Sequence, residues 1–563
     1  MAWLRSPVAL ATALVVAAPT LWLVKRYLRA RLVFRATVLP DIPALGSPTS
    51  RRHGTAIICG GSIGGLLTAR VCADHFDRVV VIEPEGWALS DEARHGRGYT
   101  GTREVHGDDG TYTTVTHKRS RIWQYTTFHG YQLILINMLR KLYPNFDVRA
   151  EEQAIEIKPA ALNLWLNGHY LRMPTKNGVH PSETLPYRIH CSRAAIETTI
   201  RAVTADVAPE IEYIHGTVTG FKLSTDSSNV TAVALRKAGT EEMLDIPCDM
   251  VVDCTGNAQA GLKLLSRALP PAKAAKLADI RQEYDPQLRF SSLSIPCPPN
   301  FDQDLERIIV TNPNDPAESF PASRFHWWLF WGALADVDSV NILAGRDTTG
   351  EIIISAGHWG HRAPPVTLDD LREYALSARI RPVPSWFLDV LALLEPVKNQ
   401  TTSSSMKLNS CSRIFYESVK VLPRNFIAHG DSVIRLNPRN GEGVTKCAMG
   451  ATTLDGVLRR MPQGPHDSAF SKTFFKLLAG RTSHLWNSSR YLDYASETTV
   501  PVAGEKLSDG AYFRRLVPKI FRLAERDDDV ATRFILANNF LIPNTDLVTI
   551  STLMKLWWQD WSS

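Results

Sequence analysis

The residues best suited to chemistry begin with a glycine-rich turn between two apolar runs. Thr55–Cys59 feeds directly into Gly60, Gly61, Ser62, Ile63, Gly64 and Gly65. The pattern predicts a helix from about Leu66 to His75 and a second strand over Arg78–Ile82 that ends on Glu83. Strand, turn, helix, strand and acid in that order make a dinucleotide-binding unit. Gly60 allows the tight turn, Ser62 is small where backbone must approach a pyrophosphate, and Gly65 lets helix and strand pack closely. The helix N-terminus offers free N–H groups and a positive dipole end to phosphates. Glu83 suits ribose hydroxyls and repels a 2′-phosphate, which favours FAD or NAD over NADP at this site.

Two later segments carry related chemistry. Leu244–Gly256 reads as an apolar strand closing on Asp253, Cys254, Thr255 and Gly256. In Ile427–Met449 a strand reaches Gly430 and Asp431, a loop carries Asn437 and Pro438, and Gly441-Glu442-Gly443 opens a helix. In this order behind the first unit, the segments resemble the three FAD segments of glutathione-reductase-like flavoproteins. The closer resemblance is to group A FAD-dependent monooxygenases of the para-hydroxybenzoate hydroxylase type, here a membrane-anchored member of fungal type. It runs from Thr55 nearly to the C-terminus.

That resemblance implies FAD as cofactor and NADH or NADPH as electron donor. Asp431 then meets the ribityl chain, and the helix after Gly441 and Gly443 points its N-terminus at the pyrimidine edge of the flavin. Arg121–Pro144 resembles the Arg…Gln…His segment of a bacterial and fungal subgroup, and Cys191-Ser192-Arg193 resembles its Ser-Arg motif. Arg121 and Arg193 become candidates for binding phosphate or positioning the flavin, with surface ion pairs as the alternative. His129 is the candidate catalytic group, as a proton relay, with a structural histidine as the alternative. The chain departs from the family pattern at Ser432, where alanine is usual, and in the stretched Asp253–Gly256 motif, which no arginine closely follows. Those departures leave the electron donor open. No second glycine-rich unit for NAD(P)H and no metal-ligand cluster is visible.

These segments need elements to hold them apart and in register. Ala154–Leu171, Gln287–Pro296, Arg307–Thr311, Phe325–Leu334 and Ile352–Trp359 have strand character, through alternation and β-branched or aromatic content. In the resembling family this region is a sheet that roofs the flavin. Phe325–Trp331 is aromatic on both faces, suited either to an apolar pocket or to core packing. Its tryptophan spacing does not match a halogenase WxWxIP signature. From about Ala469 the chain reads as helical, with amphipathic stretches at Tyr512–Glu525 and Asp529–Ala537. Trp557, Trp558 and Trp561 close the sequence, either as core caps or as membrane contacts.

Composition bounds the rest. The 563 residues are 44% hydrophobic and 21% charged, an ordinary globular balance. The net charge of +6 lies at one end: residues 1–53 carry eight basic groups against Asp41 alone, leaving the body at −1. Nucleic-acid binding is therefore not expected. Eight scattered cysteines form no CxxC pair, which excludes zinc-ribbon and thioredoxin-like readings.

Pro7–Val24 contains no charge and as a helix spans roughly 27 Å, near a bilayer core. The basic cluster Lys25–Arg35 follows it, so the positive-inside rule puts the body in the cytosol, with the endoplasmic reticulum as the expected membrane. A cleaved signal peptide and a mitochondrial signal are the rival readings. The sequons at Asn229, Asn399 and Asn487 are then expected to carry no glycan.

The expected architecture is α/β: a glutathione-reductase-like FAD-binding Rossmann fold with an inserted β-sheet substrate domain and a helical C-terminal region. Its units are an anchor over 1–35, a linker over 36–53, FAD segment one over 54–150 and a substrate-sheet hairpin over 151–180. FAD segment two follows over 181–275, the substrate domain over 276–410, FAD segment three over 411–465 and helices over 466–563. The expected function is hydroxylation or epoxidation, through a flavin hydroperoxide, of an apolar terpenoid, polyketide or lipid-like molecule. The alternatives are a prenyl or lipid reductase on the same fold and a non-catalytic membrane-tethered flavoprotein.

Overall fold

The computed structural model describes residues 7–50, 52–119, 122–160, 162–171, 186–332, 340–346 and 350–562, with side chains from 20 to 559. Thr55–Cys59 and Met250–Asp253 are short apolar runs buried on almost every residue, the pattern of strands inside a helix-covered parallel sheet. They lie side by side in a seven-stranded sheet. Its order is Met243–Pro247, Val230–Lys237, Glu212–Leu223, Arg78–Glu83, Thr55–Cys59, Met250–Asp253, Phe426–Ala428. The last five run parallel, and the first three form an antiparallel meander. Cys59 is in register with both Ile82 and Asp253, so the carboxyl ends of three strands finish together. That edge is where open α/β sheets bind ligands.

A second sheet, ordered Thr402–Leu408, Leu288–Pro296, Glu351–Trp359, Asn341–Arg346, Trp327–Trp331, Leu162–Leu166, His169–Leu171, is antiparallel except where Trp327–Trp331 meets Leu162–Leu166. On its outer face Trp328 and Phe330 pack into a core of their own with Trp386 and Phe387. Helices Ala511–Ala524, Asp528–Asn538 and Ile550–Ser562 lean on its far edge, where Ile520, Phe521, Ile535 and Leu556 cluster with Leu162, Leu166 and Trp327. The α/β class, the Rossmann-like sheet, the inserted sheet and the helical C-terminal region are all present.

The details differ from expectation in three places. The first helix spans Ile63–Ala73, three residues earlier than Leu66, because Gly65 must lie in its first turn: a Cβ there would sit 1.8 Å from the Gly60 carbonyl oxygen. The middle segment is two strands, Met243–Pro247 and Met250–Asp253, rather than one. Pro247 cannot continue a ladder as donor, and Asp249 turns back to accept the Thr55 N–H at 2.8 Å. Ala154–Leu171 is three short strands, the first of which, Glu156–Pro159, leaves the large sheet to pair with Tyr187–His190.

A helix spans Pro7–Ala36. Among the described residues no helix is long and apolar enough to cross a membrane, and the side chains of 7–19, on which the anchor expectation chiefly rests, lie outside them. Residues 36–53, read as a linker, pack on the body: Val38 and Leu45 are buried in its main core. Asp41 is held by Arg460 at 2.6 Å and by the fully buried Arg481 at 2.7 Å.

Candidate functional site

The carboxyl ends of the parallel strands open into one cavity of about 830 Å3, which continues to the inner face of the second sheet. Gly60, Ser62, Glu83, His129, Arg193, Asp431, Gly441 and Gly443 all line it. Gly65 lies behind the wall, in the helix–strand contact. Arg121 lies outside the described residues.

The wall at the strand ends is made largely by backbone. Gly60 has φ +113°, and a Cβ there would meet the Cys254 carbonyl oxygen at 2.4 Å, so turn one and the middle segment touch main chain to main chain. Ser62 begins the helix without capping it, which leaves the first N–H groups free. Its hydroxyl instead accepts from Arg193 Nη2 at 3.0 Å and donates to Glu197 at 3.3 Å. Glu83 accepts the Gly61 N–H at 2.7 Å and the Glu85 N–H at 3.0 Å, one on each oxygen. A carboxylate has about four acceptor sites, so capacity remains for two ribose hydroxyls.

Behind this wall is a charge cluster that motif spacing does not reveal. Glu197 is fully buried and is met by Arg119, by Arg193 at 2.8 Å and by Arg201 at 2.7 Å. Burial alone would raise its carboxyl, but the three guanidinium groups outweigh that and hold it at about 2. Arg119 also pairs with Glu85 at 2.7 Å and approaches Glu83 at 3.6 Å. Arg193 is thus presented at the glycine turn, fixed by Glu197 from below.

At the other end Asp431 pairs with Lys446 Nζ at 2.7 Å. Gly441 has φ +63°, and a Cβ there would come within 3.0–3.2 Å of the Gly130 backbone. Gly443 starts the helix Gly443–Arg460, and nothing lies within 4 Å of where its Cβ would be. Glu442 lines the cavity at this helix start with Oε2 buried and unpartnered, and burial pushes its carboxyl up to about 7 against the pull of Lys446 and Arg439. His129 Nδ1 donates to the Thr127 carbonyl at 2.9 Å, which fixes the tautomer with Nε2 as acceptor. Burial, and then Arg193, lowers its pKa to about 4, so the ring is neutral at physiological pH. The described residues thus bring eight of the ten expected positions to one cavity. Sequence reasoning missed Arg119, Glu197, Lys446 and Glu442. Glu442, inside a motif already noted, and Glu197, four residues from Arg193 and from Arg201 on one helix, carried a local signal.

The wall on the second sheet is side chain. Trp327, Leu329 and Trp331 take the inner face of their strand, with Leu162, Leu164, Leu343 and Phe290 beside them. Period-two alternation therefore answers both readings of the aromatic strand, since Trp328 and Phe330 go to the core.

No protein-family model and no curated protein matches the chain. Solved structures do. A flavoprotein/dehydrogenase from Cytophaga hutchinsonii is 9% identical with a TM-score of 0.48, over 90% of this chain and 100% of that one. The Diels-Alderase PyrE3 of pyrroindomycin biosynthesis is 13% identical with a TM-score of 0.48, over 86% and 80%. The flavin-dependent brominase Bmp2 is 12% identical with a TM-score of 0.46, over 90% and 98%. Similarity at this level assigns neither reaction nor substrate.

Proposed function

We propose that this chain is an FAD-dependent oxidoreductase, and within that class a monooxygenase that hydroxylates or epoxidises an apolar small molecule of terpenoid, polyketide or lipid-like kind. One observation carries the reading: a single cavity joins the glycine turn, Asp431 and the Gly443 helix start to the aromatic wall of the inserted sheet. Its size lies in the upper part of the roughly 300–1,000 Å3 usual for cofactor and ligand sites. The donor set fits FAD: a Cβ-free turn, a carboxylate with spare acceptor capacity, an arginine beside the turn and two uncapped helix starts.

FAD, when bound, supplies two-electron redox chemistry with a nicotinamide donor, NADH or NADPH. The chain's own work is to bind and to exclude water. Glu83 accepts from ribose, and the helix from Ile63 and Arg193 face the pyrophosphate. Asp431, paired with Lys446, would accept from the ribityl chain. The uncapped helix start at Gly443 would favour negative charge on the bound cofactor. Neutral His129 can take a proton at Nε2. Trp327, Leu329 and Trp331 keep the reacting end dry.

The test is the purified full-length protein. Expected are a yellow colour, stoichiometric FAD, substrate-stimulated reduction by NADH or NADPH, and one atom of ¹⁸O from ¹⁸O₂ in the product. Colourless protein that binds no FAD overturns the reading.

A prenyl or lipid reductase is the second reading, favoured by Glu442. A buried carboxyl that is half-protonated near pH 7 can donate the proton that double-bond reduction requires. Reduced product without ¹⁸O selects it.

Membrane attachment with the body in the cytosol belongs to the same proposal. Its support is the exposed Leu21, Trp22, Leu23, Val24, Tyr27 and Leu28, with the Lys25–Arg35 basic cluster overlapping them. A glycosidase-sensitive mass shift at Asn229, Asn399 or Asn487 overturns that orientation.

A further inference from the structure

The substrate half of the cavity holds a charge that the proposed reaction does not use. Arg188, on the strand Tyr187–His190, lines the cavity and is 8% exposed. Its guanidinium lies 4.8 Å from the Trp327 ring centroid, and Nη2 donates to Asn539 Oδ1 at 3.3 Å. Both supports are fixed. Asn539 Oδ1 also accepts the Leu133 N–H, and its Nδ2 donates to the Ile535 carbonyl. Trp327 packs against Phe128, and Gly345 and Gly130 are tight on its ring.

Arg188 Nε is buried without a partner, and no carboxylate among the described residues pairs with this side chain. Burial lowers its pKa to about 10, which still leaves it cationic at neutral pH. The adjacent His190 brings no counter-charge and is itself neutral. The contrast with Arg119, Arg193 and Arg201, which converge on Glu197, is direct. The walls beside it include Leu162, Leu164, Phe128 and Trp327, and the other buried arginine of this half, Arg439 over Trp331, faces Asp493 and Glu442; a buried charge without such a counter-charge is costly.

We propose that Arg188 binds a carboxylate carried by an otherwise apolar substrate, so that the substrate class is an amphipathic carboxylic acid rather than a neutral hydrocarbon. The inference rests on reading this cavity as the substrate site. A guanidinium fork matches a carboxylate in two parallel hydrogen bonds. Arg188, without a carboxylate partner among the described residues, matches a single negative charge, which favours a carboxylate over a diphosphate head. Trp327 and Asn539 hold the fork in place before the ligand arrives, so little ordering entropy remains to be lost.

The experiment titrates the purified full-length protein with dodecanoate and farnesoate, each against its methyl ester. Binding is read by tryptophan fluorescence and calorimetry. The acids are expected to bind at least roughly tenfold tighter than the esters, the scale of a charge-assisted hydrogen bond. Arg188→Met is expected to bring the acids down to the level of the esters, and Arg188→Lys to keep part of the preference. Melting curves check that both variants are folded. Equal binding of acid and ester, an acid preference that survives Arg188→Met, or no acid binding up to the solubility limit overturns the inference. FAD content and ¹⁸O incorporation are read separately. FAD retained with no acid preference sinks this inference alone, and acid preference without bound FAD sinks the proposed reaction alone.

Discussion

The two walls of the cavity are built on opposite principles. The wall at the strand ends is main chain: Gly60 against Cys254, Gly441 against Gly130, and two helix starts with free N–H groups. The wall on the second sheet is side chain, from alternate residues of strands and from a C-terminal helix. Backbone geometry tolerates almost no substitution where a Cβ has nowhere to go. A side-chain wall can change shape one residue at a time while its sheet stays intact. On the proposed function, the first wall would fix the cofactor and the second would be free to vary the substrate.

The sharpest way to break this contrast is Gly65→Val. Its Cβ would meet backbone at 1.8 Å, so FAD retention is expected to fall roughly a hundredfold or more, about 3 kcal/mol on the overpacking scale. Near-normal FAD content in that variant would refute the backbone account.

Next is Glu442, at the seam between the walls. Its folded pKa of about 7 lies above the unfolded value of about 4.5, so the native state binds more protons between those limits. Stability of the FAD-free protein is expected to fall as pH rises from about 4.5 to 7 and then level off, by an amount on the order of 3 kcal/mol. Glu442→Gln should flatten that slope in melting curves; an unchanged slope excludes Glu442 as its source.

Asp431→Ala removes one acceptor and leaves Lys446 without its carboxylate, and should weaken FAD binding roughly tenfold. On the other wall, Trp331→Ala is expected to leave FAD content within about twofold while weakening lipophilic ligands by roughly tenfold. Equal loss of cofactor in both would erase the distinction. The smallest effect is expected from His129→Gln. Because His129 is already neutral above about pH 4, the pH dependence of flavin reduction between 6 and 8 should be unchanged.

The same contrast explains what could be read from the chain. Gly60, Ser62, Gly65 and Glu83 lie within about thirty residues, and each has a task set by local geometry, so their arrangement was legible without coordinates. Asp431 and Gly443 were legible because their spacing repeats a known order. Glu197 was not, since Arg193 and Arg201 at i−4 and i+4 look like an ordinary solvated ion-pair ladder until burial and Arg119, from a distant segment, are known. Arg188 was hidden for the same reason, with Asn539 lying 351 positions away. Helix starts shifted where propensity and packing disagree: two glycines argue against Ile63–Gly65 as helix, and the need for a Cβ-free contact overrules them.

The junction of the N-terminal helix with the body has a mechanical meaning. Asp41, gripped by Arg460 and Arg481 just beyond the helix end, is a buried pivot. Arg29 with Asp546, one partner largely in solvent, is a soft latch along the same helix. A helix mounted in this way is a lever arm, not a leash. A load applied along Leu21–Leu28 would reach the body through these two contacts and turn it as a unit, not through slack chain.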